Sequence, residues 1–213
     1  AVLEDAGPAT TRGRFAVEGG ALRMVEPAPW GESLWLSPRT LDDGVVRARM
    51  QVGAAVDCTL VARAALDEGS GELASGIGVS VEKGKLRLMR WEHAVPRFLG
   101  AEQPLEGALV PGSTLELVVV LAGPVVSVTV YDGATLLPRA RLAAHDRGSL
   151  SGRVGWRVGK AHDRTNGLSL LSVGKSVDAP PLAAHDAGAG AERLVVFPAD
   201  QRATKYPQVE AFI

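Results

Sequence analysis

Thr114-Leu-Glu-Leu-Val-Val-Val-Leu-Ala122, the pair Gly123-Pro124, Val125-Val-Ser-Val-Thr-Val-Tyr131, the pair Asp132-Gly133 and, after Ala134-Thr135, Leu136-Leu-Pro-Arg-Ala-Arg-Leu142 follow one another along the chain. Leu115, Leu117, Val119 and Leu121 fall on one parity, and Val126, Val128 and Val130 do the same after the turn. Successive side chains of an extended chain point to opposite faces, so alternation broken by short turns specifies antiparallel strands with one buried face. The stretch runs on into His145-Asp-Arg-Gly-Ser-Leu-Ser-Gly-Arg-Val-Gly-Trp156.

Working outward, the same pattern recurs along the chain. A hairpin is expected at Arg14–Val17, Glu18-Gly19-Gly20 and Ala21–Val25. Strands follow at Ser33–Ser37, Val45–Val52, Cys58–Ala65, Ile77–Val81, Leu86–Trp91, Arg153–Val158 and Leu168–Val173. The Glu82-Lys83-Gly84-Lys85 turn is short enough for a two-residue hairpin. Arg90 to Gly112, broken by Pro96, Pro104 and Pro111, reads as the longest irregular stretch, where binding residues tend to concentrate. Common parity selects Val46, Ala48, Met50, Leu60, Val79, Leu88, Leu117, Val119, Val128, Val130, Val154 and Trp156 as the core between two sheets.

With 213 residues and 46% apolar content, a chain of this size buries roughly 70% of its unfolded surface, so one β domain is expected over 1–174. A Pro/Ala/Gly-rich linker is expected over 175–192. Residues 193–213 read as an extended C-terminal docking tail, or the start of a following segment, with Leu194, Val196, Phe197, Tyr206 and Phe212 as its apolar anchors. The formal charge of −1 lacks the basic footprint of a nucleic-acid binder or a polybasic membrane anchor. Apolar runs such as Leu117–Ala122 fall far short of the ~18 residues of a membrane span, so no transmembrane segment is expected. The start at Ala1 suits removal of a secretory leader and equally suits loss of an initiator Met. The expected location is extracytoplasmic, periplasmic or secreted.

The order of Phe15 with Gly19-Gly20-Ala21-Leu22, Asp43–Met50, Lys85-Leu-Arg-Leu-Met-Arg90, Val128-Thr-Val-Tyr-Asp-Gly133 and Ser151-Gly-Arg-Val-Gly-Trp156 resembles the concanavalin A-like lectin/glucanase jelly roll. The resemblance points to its laminin-G-like branch, which includes the 3-keto-disaccharide hydrolase-like domains. It covers about residues 10–174 and implies an all-β, two-sheet antiparallel jelly-roll sandwich of roughly a dozen strands. That fold serves lectins, glycanases, receptor modules and scaffolding domains alike, so it does not by itself assign a function.

Catalysis finds little support in the residues. Glycoside cleavage needs two carboxylates aimed at one bond, and the Glu-x-Asp-x-x-Glu strand of the glucanase branch is missing; Asp42-Asp43 and Asp67-Glu68 fall in turns. The His145-Asp146, His162-Asp163 and His185-Asp186 pairs are poor chelates, since adjacent extended residues diverge. Each Asp, like Asp132 before Gly133, reads first as a turn former. Cys58 reads as an inert buried thiol. No catalytic residue, cofactor site or metal site is therefore assigned.

Binding features remain. Of 23 basic residues five are Lys, leaving 18 Arg, a bias that suits a biased proteome and also bidentate recognition of carboxylate, sulfate or phosphate. Arg47, Arg49, Arg63, Arg87, Arg153 and Arg157 share the outward parity and form the candidate interaction face, which needs carboxylates opposite it, internal or from a partner. Trp30 and Trp91 are the candidate platforms for a glycan. The leading expectation is a non-catalytic interaction module, an accessory or structural subunit of a larger assembly docked through its tail and Arg face. The alternative is a carbohydrate-binding module of a secreted protein, and a sugar-processing hydrolase stands last.

Overall fold

The computed structural model describes residues 10–18, 21–29, 32–51, 58–159 and 167–174. Expectations for Trp30, the Cys58 thiol, His162-Asp163, His185-Asp186 and the whole of 175–213 lie outside these described residues.

Every described element is a strand: β1 Thr10–Arg12, β2 Arg14–Glu18, β3 Ala21–Glu26, β4 Ser33–Thr40, β5 Gly44–Gln51, β6 Cys58–Leu66, β7 Leu73–Glu82 and β8 Lys85–Glu92. They continue with β9 Val95–Phe98, β10 Gln103–Pro104, β11 Thr114–Ala122, β12 Val125–Asp132, β13 Pro138–His145, β14 Arg153–Val158 and β15 Gly167–Gly174. An eight-stranded sheet runs β1-β4-β14-β6-β7-β8-β10, with β9 also paired to β8, and a seven-stranded sheet runs β13-β12-β11-β5-β15-β3-β2. All pairings are antiparallel. This is the two-sheet sandwich expected.

The decisive stretch folds as its alternation requires. Leu115, Leu117, Val119 and Leu121 pair across β11 and β5 with Met50, Ala48, Val46 and Gly44, and their side chains fill one apolar layer with those of the eight-stranded sheet. All twelve residues expected in the core are buried. Two-residue turns close β7–β8 at Lys83-Gly84, both with positive φ, and β11–β12 at Gly123-Pro124. The turn after β12 is longer than expected. Asp132 accepts the Ala134 and Thr135 amides through its Oδ1, Leu136 takes a positive φ of 57°, and β13 begins only at Pro138.

Parity fails at Arg63. The β6–β7 register shifts between Ala62 and Ala65, and Arg63 adopts a left-handed φ of 50°. A bulge of this kind turns the side chain to the other face. Arg63 is therefore not part of an outward face but completely buried. Its Nε donates to the Asp42 carbonyl at 2.6 Å, Nη1 to the carbonyls of Gly123 at 2.7 Å and Ser149 at 3.2 Å, and Nη2 to the Asp43 carboxylate at 2.9 Å. One guanidinium thus ties the β4–β5, β11–β12 and β13–β14 connections together. Burial pushes its pKa down, while Asp43 opposes that shift. Gly152 permits the approach, since a Cβ there would meet the Arg63 backbone.

Beside this end, Asp146 caps its own turn as expected, accepting the Gly148 and Ser149 amides and an Arg90 N–H. Asp43 departs from the expectation of a solvated turn, because its Oδ1 accepts both Arg63 and the Gly123 amide.

Candidate functional site

The faces turned away from the core differ in what they carry. Arg47 and Arg49 sit on β5 in the seven-stranded sheet, whereas Arg87, Arg153 and Arg157 sit on β8 and β14 in the eight-stranded sheet. With Arg63 interior, the arginines do not form one face. The carboxylates they require are largely internal: Glu116 for Arg49, Glu82 and Glu102 for Arg87, and Glu32 for Arg157. Arg47 lies on its outer face and is nonetheless buried, and Arg153 is half-buried.

The outer face of the eight-stranded sheet has its own apolar patch of Leu34, Leu36, Val61, Ala64, Leu73 and Trp91. Trp91, expected as an exposed glycan platform, lies on this outer face but is only 2% exposed, so it offers no open ring. Its indole lies over Gly78, where any Cβ would strike the ring. The Arg157 guanidinium sits 5.4 Å from the ring centroid and is gripped by both Glu32 oxygens. Cation–π contact and the bidentate pair fix one another's geometry.

A second unit of the same kind stands toward the sheet edge. Arg87 lies 5.6 Å from the Phe98 centroid, and its Nε and Nη1 donate to Glu102 and Glu82. Lys85 donates to the other oxygen of Glu102 at 3.0 Å. These donors, Lys85 first and then Arg87, hold the Glu102 carboxyl below the usual carboxylate range. Phe98 pairs with Met89 across β9 and β8, so its ring stands on the same face, and it is 62% exposed. An exposed aromatic ring beside fixed donors and acceptors, on a rigid strand pair, can stack an apolar sugar face and hydrogen-bond the hydroxyls around it.

The two units share a cross-strand row. Arg157 is the Cα partner of Thr59, Thr59 of Ser80, and Ser80 of Arg87. Three strand spacings place the two arginines about 14 Å apart along the sheet.

Phe98 is the residue that the sequence does not reveal. It belongs to the stretch read as irregular, which instead contains β9 and β10. The β8–β9 hairpin turns at His93-Ala94, both at positive φ, 50° and 63°. Non-glycine residues seldom adopt that conformation, and Asn-Gly, the usual signal of such a turn, is absent.

No protein-family model and no curated protein matches the sequence. Among solved structures, the chain is similar to the carbohydrate-binding module CBM66 from Bacillus subtilis, with 15% identity, a TM-score of 0.57, and coverage of 78% of this chain and 92% of that one. It is also similar to a protein of unknown function with a galectin-like fold from Bacillus subtilis, at 15% identity and TM-score 0.54 over 78% of this chain and 88% of that one. A third is the VIP36 exoplasmic/lumenal domain in a form bound to Ca2+ and Man3GlcNAc, at 12% identity and TM-score 0.50 over 79% and 87%. The chain has the concanavalin A-like jelly-roll fold. At these identities the likeness is one of fold alone.

Among the described residues no group of three or more His, Cys, Asp or Glu side chains is placed to hold a metal ion. No helix among them is long and apolar enough to cross a membrane.

Proposed function

We propose that the chain is a non-catalytic carbohydrate-binding module that takes its ligand on the outer face of the eight-stranded sheet, at Phe98 and Arg87. The observation that carries this reading is the pairing of an exposed aromatic ring with a guanidinium already held by two carboxylates, on adjoining rigid strands. Support comes from two neighbours of the same fold, one described as a carbohydrate-binding module and one solved with a bound glycan. In this reading the second expectation from the sequence takes precedence over the first. The accessory-subunit reading rests on 193–213, outside the described residues.

The surrounding carboxylates bind and orient rather than cleave. Glu32, Glu82 and Glu102 each engage an arginine, so these carboxylates are held by guanidinium donors instead of standing as the free pair, aimed at one bond, that glycoside cleavage demands. An extracytoplasmic location follows from a glycan ligand and belongs to the proposal.

The test is binding of the purified protein to arrayed oligosaccharides. Phe98→Ala should weaken any specific binding about tenfold, matching the roughly 1.4 kcal/mol of a stacked ring, with the melting temperature unchanged because the ring is mostly solvated. Equal binding by the Phe98→Ala protein would remove this face from consideration.

A further inference from the structure

An arginine-rich chain suggests an anionic ligand, yet the pairing on this face argues the reverse. We infer that the Phe98–Arg87 surface selects neutral, diol-bearing glycans and rejects sulfated or uronate-containing ones; the inference rests on the glycan-binding reading and specifies its ligand class. Bidentate capture of an anion needs two adjacent N–H groups of one guanidinium with no carboxylate already on them. On Arg87 the Nε and Nη1 groups are engaged by Glu102 and Glu82, and on Arg157 the Nε and Nη2 groups are engaged by Glu32. The Lys85 ammonium is drawn to Glu102 as well.

An incoming sulfate or uronate would have to displace Glu82 or Glu102 from the cations they already hold, Arg87, Lys85 and Lys83, and meets both fixed carboxylates as it does so. A hydroxyl behaves differently, because it both donates and accepts. The remaining carboxylate lone pairs accept one sugar O–H, and the remaining guanidinium N–H groups donate to the neighbouring sugar oxygen. A vicinal diol fits such a paired edge, while Phe98 covers the C–H face of the ring. The Arg157–Glu32 unit, in the same cross-strand row, repeats the compensated charge, so a ligand extending along the row meets no unopposed cation there.

Two measurements on the full chain test this. The first compares binding to arrayed neutral gluco-, manno-, galacto- and fructo-oligosaccharides with binding to heparin and polygalacturonate. The second follows retardation in native gels containing dextran sulfate at low salt, for the natural protein and for the Glu82→Gln, Glu102→Gln double variant, whose fold is checked by thermal melting. The expected result is that the natural protein binds neutral glycans and is not retarded by dextran sulfate. The double variant should bind dextran sulfate at least tenfold more tightly and lose neutral binding. Preference of the natural protein for heparin or polygalacturonate would overturn the inference while leaving the glycan reading standing. So would a double variant with no gain for dextran sulfate. Binding to no glycan at all would overturn both.

Discussion

At Arg63 the chain places a full set of guanidinium donors where three connections meet. The acceptors are carbonyls of Asp42, Gly123 and Ser149 and the Asp43 carboxylate. Fan-like donors suit this task because Arg spreads N–H groups in a plane, whereas Lys concentrates them at one atom. Truncation leaves acceptors without donors and a carboxylate facing a partly buried site. Arg63→Met should therefore lower the unfolding free energy by about 3–5 kcal/mol, the range for breaking one side of a buried pair, and Arg63→Lys should recover only a minority of it. Urea denaturation measures both. A loss within the ordinary range of a surface substitution would show that the staple contributes nothing. Gly78 acts by subtraction: with no Cβ, it lets the Trp91 indole lie flat and bring Arg157 to its face.

The β8–β9 hairpin and β10 carry the proposed site as elements. They form the edge of the eight-stranded sheet, and an edge is ordinarily a hazard for unwanted pairing. Here Pro96 and Pro104 interrupt it, and β10 is only two residues long, so the edge presents Phe98 without a long unpaired ladder. The paired charges give this element a pH dependence. The Glu102 carboxyl is held below its ordinary value by Lys85 and Arg87. A depressed folded-state pKa means the pairing is fully present above the unfolded value, about 4.3 for Glu. It is lost only as pH falls through the lowered value. Neutral-glycan binding should accordingly hold from neutral pH down past about 4.3 and decline below it. The decline should coincide with a gain of affinity for dextran sulfate as Arg87 and Lys85 lose the Glu102 carboxylate. Affinity measured against pH checks this, and a decline centred near pH 6.5, the ordinary His range, would implicate another group. The hairpin itself was hidden in the sequence, because His93-Ala94 holds a left-handed turn without the glycine that usually announces one.

For the molecule as a whole, all described strands and both apolar clusters end by Gly174. A protein ending at Gly174 should melt in one cooperative transition close to that of the full chain and keep its glycan binding; calorimetry and the array decide this. Early, broad melting would make 175–213 part of the folding unit. Much of this architecture is local in origin. The parity of Leu115, Leu117, Val119 and Leu121, the Gly123-Pro124 and Lys83-Gly84 turns, and the matching runs at Val45–Met50 and Arg153–Val158 each state which side faces the core. A strand's two faces are written directly into a period of two. What parity does not contain is which strands are neighbours, where a bulge resets the register, and what lies across an outer face. The chain's residues therefore determined an all-β sandwich, its core and its outward arginines. Tertiary structure alone decided that Arg63 turns inward and that Trp91 is covered over Gly78. It also decided that the arginines are split between two sheets beside their own carboxylates, and that Phe98 stands exposed next to Arg87. Each of these depends on strand pairs separated widely in sequence, and no local pattern encodes a neighbour that arrives only when the sheet closes.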